Sequence, residues 1–140
     1  MKLTIHLGYP KAASTTLQKF FSNLKAINYL GKQYPSYDAE INEIMNQVFF
    51  DSNKDFEKKL LNIQKYFYKK LHKTKMNVLS DEIFLMPLLS PWFDRKKILT
   101  RVIRVFTYKK KIRIQFLIVI RDNWELIKSY YSDEYSRIIQ

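Results

Sequence analysis

The stretch IHLGYPKAASTTLQKFF, residues 5–21, joins a predicted strand to a predicted helix through a loop of small and hydroxyl residues. Residues 2–7 alternate between apolar and polar side chains, as a strand does. The loop runs from Gly8 to Ser14, and the apolar residues after it recur at helical spacing: Leu17, Phe20, Phe21 and Leu24. Because the N–H groups at a helix start are unpaired and face the loop, this junction predicts an anion-binding site.

The loop side chains favour the same ligand. Lys11 supplies an ammonium, and Ser14, Thr15 and Thr16 supply three hydroxyls. Compared with the nucleotide-binding pattern G-x-x-x-x-G-K-[ST], however, the chain has Ala13 and Ser14 where glycine and lysine belong. This departure argues against a nucleoside triphosphatase.

The rest of the chain alternates between strand and helix patterns. Strands are predicted at 28–30, 76–80 and 112–120, and the last is so apolar that we interpret it as buried. Four further helices are predicted. One spans about residues 38–49, the second begins after a capping box formed by Ser52 and Asp55, the third begins at Asp94, and the last follows Asn123. Strands separated by helices predict an α/β fold, a parallel β-sheet flanked by helices, within a single domain over residues 1–140.

Three loops should meet at the carboxyl edge of such a sheet, where ligands of α/β proteins bind. They are residues 8–16, 80–82 and 121–123. Chemistry is therefore expected where these three loops converge.

Composition narrows the possible functions. The chain has 140 residues and no cysteine, which excludes disulfides and thiolate zinc sites, and two isolated histidines make a poor metal set. We therefore expect no metal, and we interpret His6 and His72 as structural or solvent-facing. The longest apolar run, residues 116–120, is far shorter than the about 20 residues needed to cross a bilayer. We expect a cytoplasmic protein without a membrane span.

The net charge of +12 is compatible with a polyanionic partner. Lysine outnumbers arginine by 19 to 6, however, and asparagine, isoleucine, phenylalanine and tyrosine are all abundant, as A+T-rich codon usage would produce. The charge alone therefore does not predict nucleic-acid binding, which we retain only as an alternative.

Two segments resemble the sulfotransferases. The segment GYPKAASTTLQ, residues 8–18, is similar to their phosphosulfate-binding loop, with a pattern close to P-K-[ST]-G-[ST]-[ST] and a following Leu17-Gln18 as in bacterial members. The segment IVIRDNWELIKSYYS, residues 118–132, is similar to the second motif, in which an arginine at a strand end precedes a helical serine by eight residues. Here these residues are Arg121 and Ser129.

The resemblance implies a P-loop nucleoside triphosphate hydrolase-like (sulfotransferase) architecture and 3′-phosphoadenosine 5′-phosphosulfate (PAPS) as sulfuryl donor. It implies that Arg121 and Ser129 bind the 3′-phosphate. Residues expected around the 5′-phosphosulfate are Lys11, Ala12, Ala13, Ser14, Thr15 and Thr16. The acceptor would be a hydroxyl of a carbohydrate or a small molecule.

The chain departs from the family in three respects. Ala12 replaces a hydroxyl residue and Ala13 replaces the loop glycine, so weaker donor binding is expected. Family members usually continue with further strands and a basic C-terminal segment. We therefore interpret the chain as an N-terminal portion or a shortened member. A domain that binds a nucleotide or a partner without catalysis is the second interpretation.

Sulfuryl transfer requires a base for the acceptor hydroxyl and a cation beside the leaving phosphate. Lys11 is the candidate for the cation beside the leaving phosphate. Glu82 follows a predicted strand end, where many relatives place a glutamate or histidine, and is the first candidate for the base. Asp81 is its rival.

Overall fold

The structure is a computed structural model. It describes residues 1–8, 14–31, 39–81, 94–108, 112–120, 122, 124–125 and 127–128. The strands in this part of the chain are β1 (Lys2–Gly8), β2 (Ile27–Tyr29), β3 (Met76–Asp81) and β4 (Arg113–Val119). The helices are α1 (Ser14–Asn23), α2 (Ala39–Phe50), α3 (Asn53–Lys70) and α4 (Arg95–Phe106).

The four strands form one parallel sheet in the order β2-β3-β1-β4. β1 lies between β3 and β4 and is paired with both along its length. The prediction of an α/β fold with a parallel sheet flanked by helices is confirmed. The predicted strand and helix positions before residue 120 agree with the structure to within a few residues.

Helices cover both faces of the sheet. Side chains alternate along β1, so Leu3, Ile5 and Leu7 share one face and His6 points to the other. The three apolar residues belong to the main core cluster, together with buried side chains of α2, α3 and α4. His6 instead contacts Phe21 of α1, with ring centroids 6.0 Å apart. Thus α1 alone covers the second face in the part of the chain that the structure describes.

Two polar residues begin the long helices, as predicted. The Ser52 hydroxyl accepts a hydrogen bond from the Asp55 backbone N–H at 3.1 Å, and Ser52 is the N-cap of α3. The Asp94 carboxylate accepts one from the Lys97 backbone N–H at 3.0 Å and caps α4. Each side chain satisfies one N–H that the first helical turn would leave unpaired.

The buried side chain of Asn77 forms hydrogen bonds that connect neighbouring strands near the amino edge of the sheet. The Asn77 side chain accepts from Asn28 Nδ2 at 2.8 Å and donates to the Lys2 carbonyl at 2.9 Å. It also accepts from the His72 backbone N–H at 2.6 Å. One residue of β3 therefore joins β1, β2 and the turn that precedes β3.

The prediction that residues 112–120 form a buried strand is right about the strand and wrong about the burial. β4 is the last strand in the sheet order, and Phe116, Ile118 and Ile120 are 46%, 51% and 81% exposed. Ile114, on the same face, does pack against the core. An apolar run indicates that a strand favours burial. Whether the strand is buried depends on which helices or strands pack against it.

One of the apolar residues predicted at helical spacing in α1 also differs in burial, because Phe20 is exposed. In α4, Val105 is buried and Ile103 is exposed. His6 is fully buried and His72 is exposed.

Within the described residues, no helix combines the length and apolar character needed to cross a bilayer. Trp124, Glu125, Ile127 and Lys128 are helical, as predicted, and the rest of the predicted last helix lies outside the described residues.

Candidate functional site

The sheet topology identifies one place at its carboxyl edge where a ligand crevice is expected. The connection that leaves β1 leads to α1 on one face, and the connection that leaves β3 leads to α4 on the other. β1 and β3 are adjacent. Neighbouring parallel strands whose connections depart to opposite faces form a topological switch point, the usual binding crevice of open α/β sheets.

The strand register brings the predicted loops together at their starting points. Leu7 pairs with Asp81, and Gly8 pairs with Val119, so β1, β3 and β4 end side by side. Glu82 directly follows Asp81 in the chain, and Arg121 comes two residues after Val119. The expected convergence is therefore supported for the ends of the strands. Residues 9–13, 82, 121 and 123 of these loops lie outside the described residues.

The N-terminus of α1 follows the switch point in the chain. Ser14 is the first residue of α1, and Thr15 and Thr16 lie in its first turn with exposed side chains. The first turn contains no acidic residue. Because a helix N-terminus favours negative charge, this turn can accept an anion without repulsion from its own side chains. Lys11, Ala12 and Ala13 lie outside the described residues.

Of the two candidate bases, the structure describes only Asp81. It is the last residue of β3 and is 6% exposed. Its pairing with Leu7 places its side chain on the face covered by α2, α3 and α4, away from α1. Glu82, Arg121 and Ser129 lie outside the described residues, so their roles stay predictions.

A buried polar network lies below the switch point. Nδ1 of His6 lies 2.7 Å from the Ser80 hydroxyl oxygen, and the Ser80 side chain is also hydrogen bonded to Tyr29. His6 and Ser80 are paired in the register and fully buried. One serine thus links residues from β1, β2 and β3 close to the carboxyl edge.

Gly31, two residues after the end of β2, packs closely against Tyr29 and Ser80 of this network. A Cβ at this position would lie 2.6 Å from the Tyr29 hydroxyl and would also collide with the Ser80 carbonyl oxygen. Any side chain here would displace backbone as well as Tyr29. Glycine is therefore required by close approach.

The environment of Tyr29 strongly favours its protonated form. Burial raises the pKa of the Tyr29 hydroxyl far above its ordinary value of 10.0, and the Asp81 charge raises it further, while the hydrogen bond with Ser80 opposes them. Tyr29 is therefore a neutral hydroxyl at physiological pH. It stabilises the network without adding charge to the crevice.

Sequence reasoning missed this network because it depends on strand order. His6 and Ser80 each lie near the end of a predicted strand, but they are 74 residues apart and their contact requires β1 to pair with β3 in one register. In the alternating pattern of residues 2–7, His6 falls on the polar side with Lys2 and Thr4, so the local pattern carries no signal for its burial.

Among the described residues, no group of three or more histidine, aspartate or glutamate side chains could hold a metal ion. No family model, curated protein or solved structure matches the chain. The candidate site therefore has to be interpreted from its own residues and from the motifs described above.

Proposed function

We propose that this protein is a sulfotransferase that transfers a sulfuryl group from PAPS to an acceptor hydroxyl. One observation carries the proposal: the loop with the sulfotransferase-like motif leaves β1 at the topological switch point and leads into the N-terminus of α1. In an open α/β sheet this is where a phosphate-bearing ligand is expected. A strand, a loop and a helix in this arrangement also support a P-loop nucleoside triphosphate hydrolase-like architecture.

The residues at the junction fit a phosphosulfate group. The first turn of α1 offers backbone N–H groups with the exposed hydroxyl residues Thr15 and Thr16, and no carboxylate competes there. Lys11 lies three residues before α1 in the chain. Its ammonium would stabilise the negative charge that develops on the 5′-phosphate.

In the proposed reaction, the bond between sulfur and the 5′-phosphate oxygen breaks while a bond forms between sulfur and the acceptor oxygen. Glu82 would take the acceptor proton, with Asp81 as the alternative base. The products are the sulfate ester and 3′,5′-adenosine bisphosphate. Arg121 and Ser129 would bind the 3′-phosphate and so hold the donor for in-line attack.

Calorimetry with 3′,5′-adenosine bisphosphate is the first test. Saturable binding with a preference over adenosine 5′-monophosphate supports the proposal, and no binding contradicts it. A steep loss of affinity for DNA or RNA with rising salt, without nucleotide binding, would indicate the nucleic-acid alternative.

Transfer is tested separately by incubating sulfur-labelled PAPS with carbohydrate and phenolic acceptors. Formation of a labelled product would establish sulfotransferase activity. Nucleotide binding without transfer to any acceptor would favour the non-catalytic domain.

A further inference from the structure

A groove of about 380 Å³ lies between the N-terminal half of α3 and one side of α4. None of the residues that line it is apolar: Asn53, Glu57, Asp94, Lys96, Lys97, Thr100, Arg101 and Arg104. A site for an apolar or aromatic group would require hydrophobic walls. This groove is instead suited to a charged or strongly hydrated ligand.

The groove carries an excess of positive charge. Four of the lining side chains are cationic and two are carboxylates, so the lining has an excess of two positive charges. Both carboxylates already have structural partners. Glu57 pairs with both terminal nitrogens of Arg104 at 2.5 and 2.8 Å, and Asp94 caps α4.

Lys96 and Lys97 are the cations that remain available. Within the described residues, neither ammonium takes part in an ion pair, and both border the groove. Lys96, Thr100 and Arg104 follow one another at intervals of four residues, so they lie along one side of α4. The Lys96 ammonium and the Thr100 hydroxyl can donate hydrogen bonds to an oxyanion, whereas the Arg104 guanidinium at the end of this row is already paired with Glu57.

Arg101 adds a buried charge to the groove. The residue is only 3% exposed, and its terminal nitrogens donate to the Val48 carbonyl at 3.0 Å, the Asp51 carbonyl at 2.9 Å and Asn53 Oδ1 at 2.8 Å. These bonds use three of its five N–H donors, and none goes to a carboxylate. Its guanidinium lies 4.5 Å from the centre of the Phe56 ring. Packing therefore fixes a positive charge at this position.

We propose that this groove binds a sulfate or phosphate group, at a site distinct from the junction of β1 and α1. The groove is formed by α3 and α4, which cover the face of the sheet opposite α1. The uncompensated lysines, the hydroxyl of Thr100 and the fixed charge of Arg101 match a small oxyanion. The proposal does not depend on sulfuryl transfer.

The α3 surface supplies a matched control. Lys65 and Lys69 are exposed lysines on the same helix layer and do not border the groove. Replacing them with glutamine removes as much charge as replacing Lys96 and Lys97. A difference between the two double variants therefore reports the groove and not the net charge.

The experiment titrates the full chain with inorganic sulfate, inorganic phosphate and a multiply sulfated oligosaccharide at constant ionic strength, with backbone amide NMR as readout. We expect saturable shifts of the Lys97 and Thr100 amides. The double variant Lys96→Gln/Lys97→Gln should weaken binding about fivefold or more, because charge-assisted hydrogen bonds are lost. The variant Lys65→Gln/Lys69→Gln should change it less than about twofold.

Equal weakening in the two variants, or no shift at Thr100, would overturn the proposal. Tighter binding of the oligosaccharide than of the inorganic ions would assign the group to an ester in a larger molecule, and equal binding would assign it to a free ion. Circular dichroism should show both double variants folded, since none of the four lysines is buried. Affinity for 3′,5′-adenosine bisphosphate should also stay the same, which separates this site from the proposed donor site.

Discussion

Nδ1 of His6 lies 2.7 Å from the hydroxyl oxygen of Ser80. His6 is two residues before the end of β1, and Ser80 is one residue before the end of β3. The contact joins the two strands whose connections depart to opposite faces of the sheet. Through its further hydrogen bond with Tyr29, Ser80 also holds the end of β2.

Ser80→Ala should lower the free energy of unfolding by about 1–3 kcal/mol. The change removes the hydroxyl that serves both His6 and Tyr29 and leaves buried polar groups with fewer hydrogen bonds. Urea denaturation followed by circular dichroism measures the effect. Ser22→Ala is the control, because the Ser22 hydroxyl donates to the Lys19 carbonyl at the surface. Equal effects of the two changes would show that the network contributes nothing to stability.

Tyr29→Phe should change how stability depends on alkaline pH. Burial raises the pKa of Tyr29 above its ordinary 10.0, so above pH 10 the unfolded chain loses this proton while the folded chain keeps it. The contribution of Tyr29 is therefore complete below pH 10 and is lost as the pH rises towards its folded pKa. The difference in unfolding free energy between wild type and Tyr29→Phe should shrink by up to about 1.4 kcal/mol per pH unit in that range. The remaining tyrosines cancel in this comparison, and a constant difference would contradict the predicted shift.

Lys11→Ala should weaken binding of 3′,5′-adenosine bisphosphate about tenfold or more and abolish transfer. A charge-assisted contact to phosphate is worth about 1.5–3 kcal/mol. Lys25→Ala is a suitable control, because Lys25 is exposed in the turn after α1. Calorimetry on both variants would reject the loop assignment if Lys11→Ala bound as tightly as Lys25→Ala.

Glu82→Gln should leave donor binding intact and reduce turnover about 100-fold or more, since a general base contributes on that scale. Asp81→Asn should reduce turnover much less. Its side chain is buried on the face covered by α2, α3 and α4. Steady-state rates with labelled PAPS measure both variants. The reverse order of effects would make Asp81 the base.

Arg121→Ala should erase about 2 kcal/mol, or about thirtyfold, of the preference for 3′,5′-adenosine bisphosphate over adenosine 5′-monophosphate. The guanidinium is expected to bind the 3′-phosphate, which the monophosphate lacks. Adding Ser129→Ala should have little further effect if both residues act on one phosphate. If the unmutated protein bound the two nucleotides equally, the 3′-phosphate assignment would be refuted.

Local patterns predicted the elements well because helix and strand signals are carried by neighbouring residues. The caps at Ser52 and Asp94 and the strand at 76–81 are examples. The exposure of Phe116 and Ile118 could not be predicted in this way, because it depends on the position of β4 at the end of the sheet order. The same applies to the contact of His6 with Ser80, which requires a long-range register. The sequence indicated the loops of the candidate site, but not the polar network that holds the strand ends below them.

Among the described residues, α1 is the only helix on its face of the sheet, and this bears on local unfolding. From Thr15 to Asn23 none of its side chains is buried, whereas α2, α3 and α4 all contribute residues to the core. Amide hydrogens of α1 should therefore exchange with solvent through small openings, while those of α3 exchange only through larger ones. Of the four helices α1 to α4, the one whose N-terminus faces the candidate anion site would then be the first to detach and the one that gains most protection when a ligand binds.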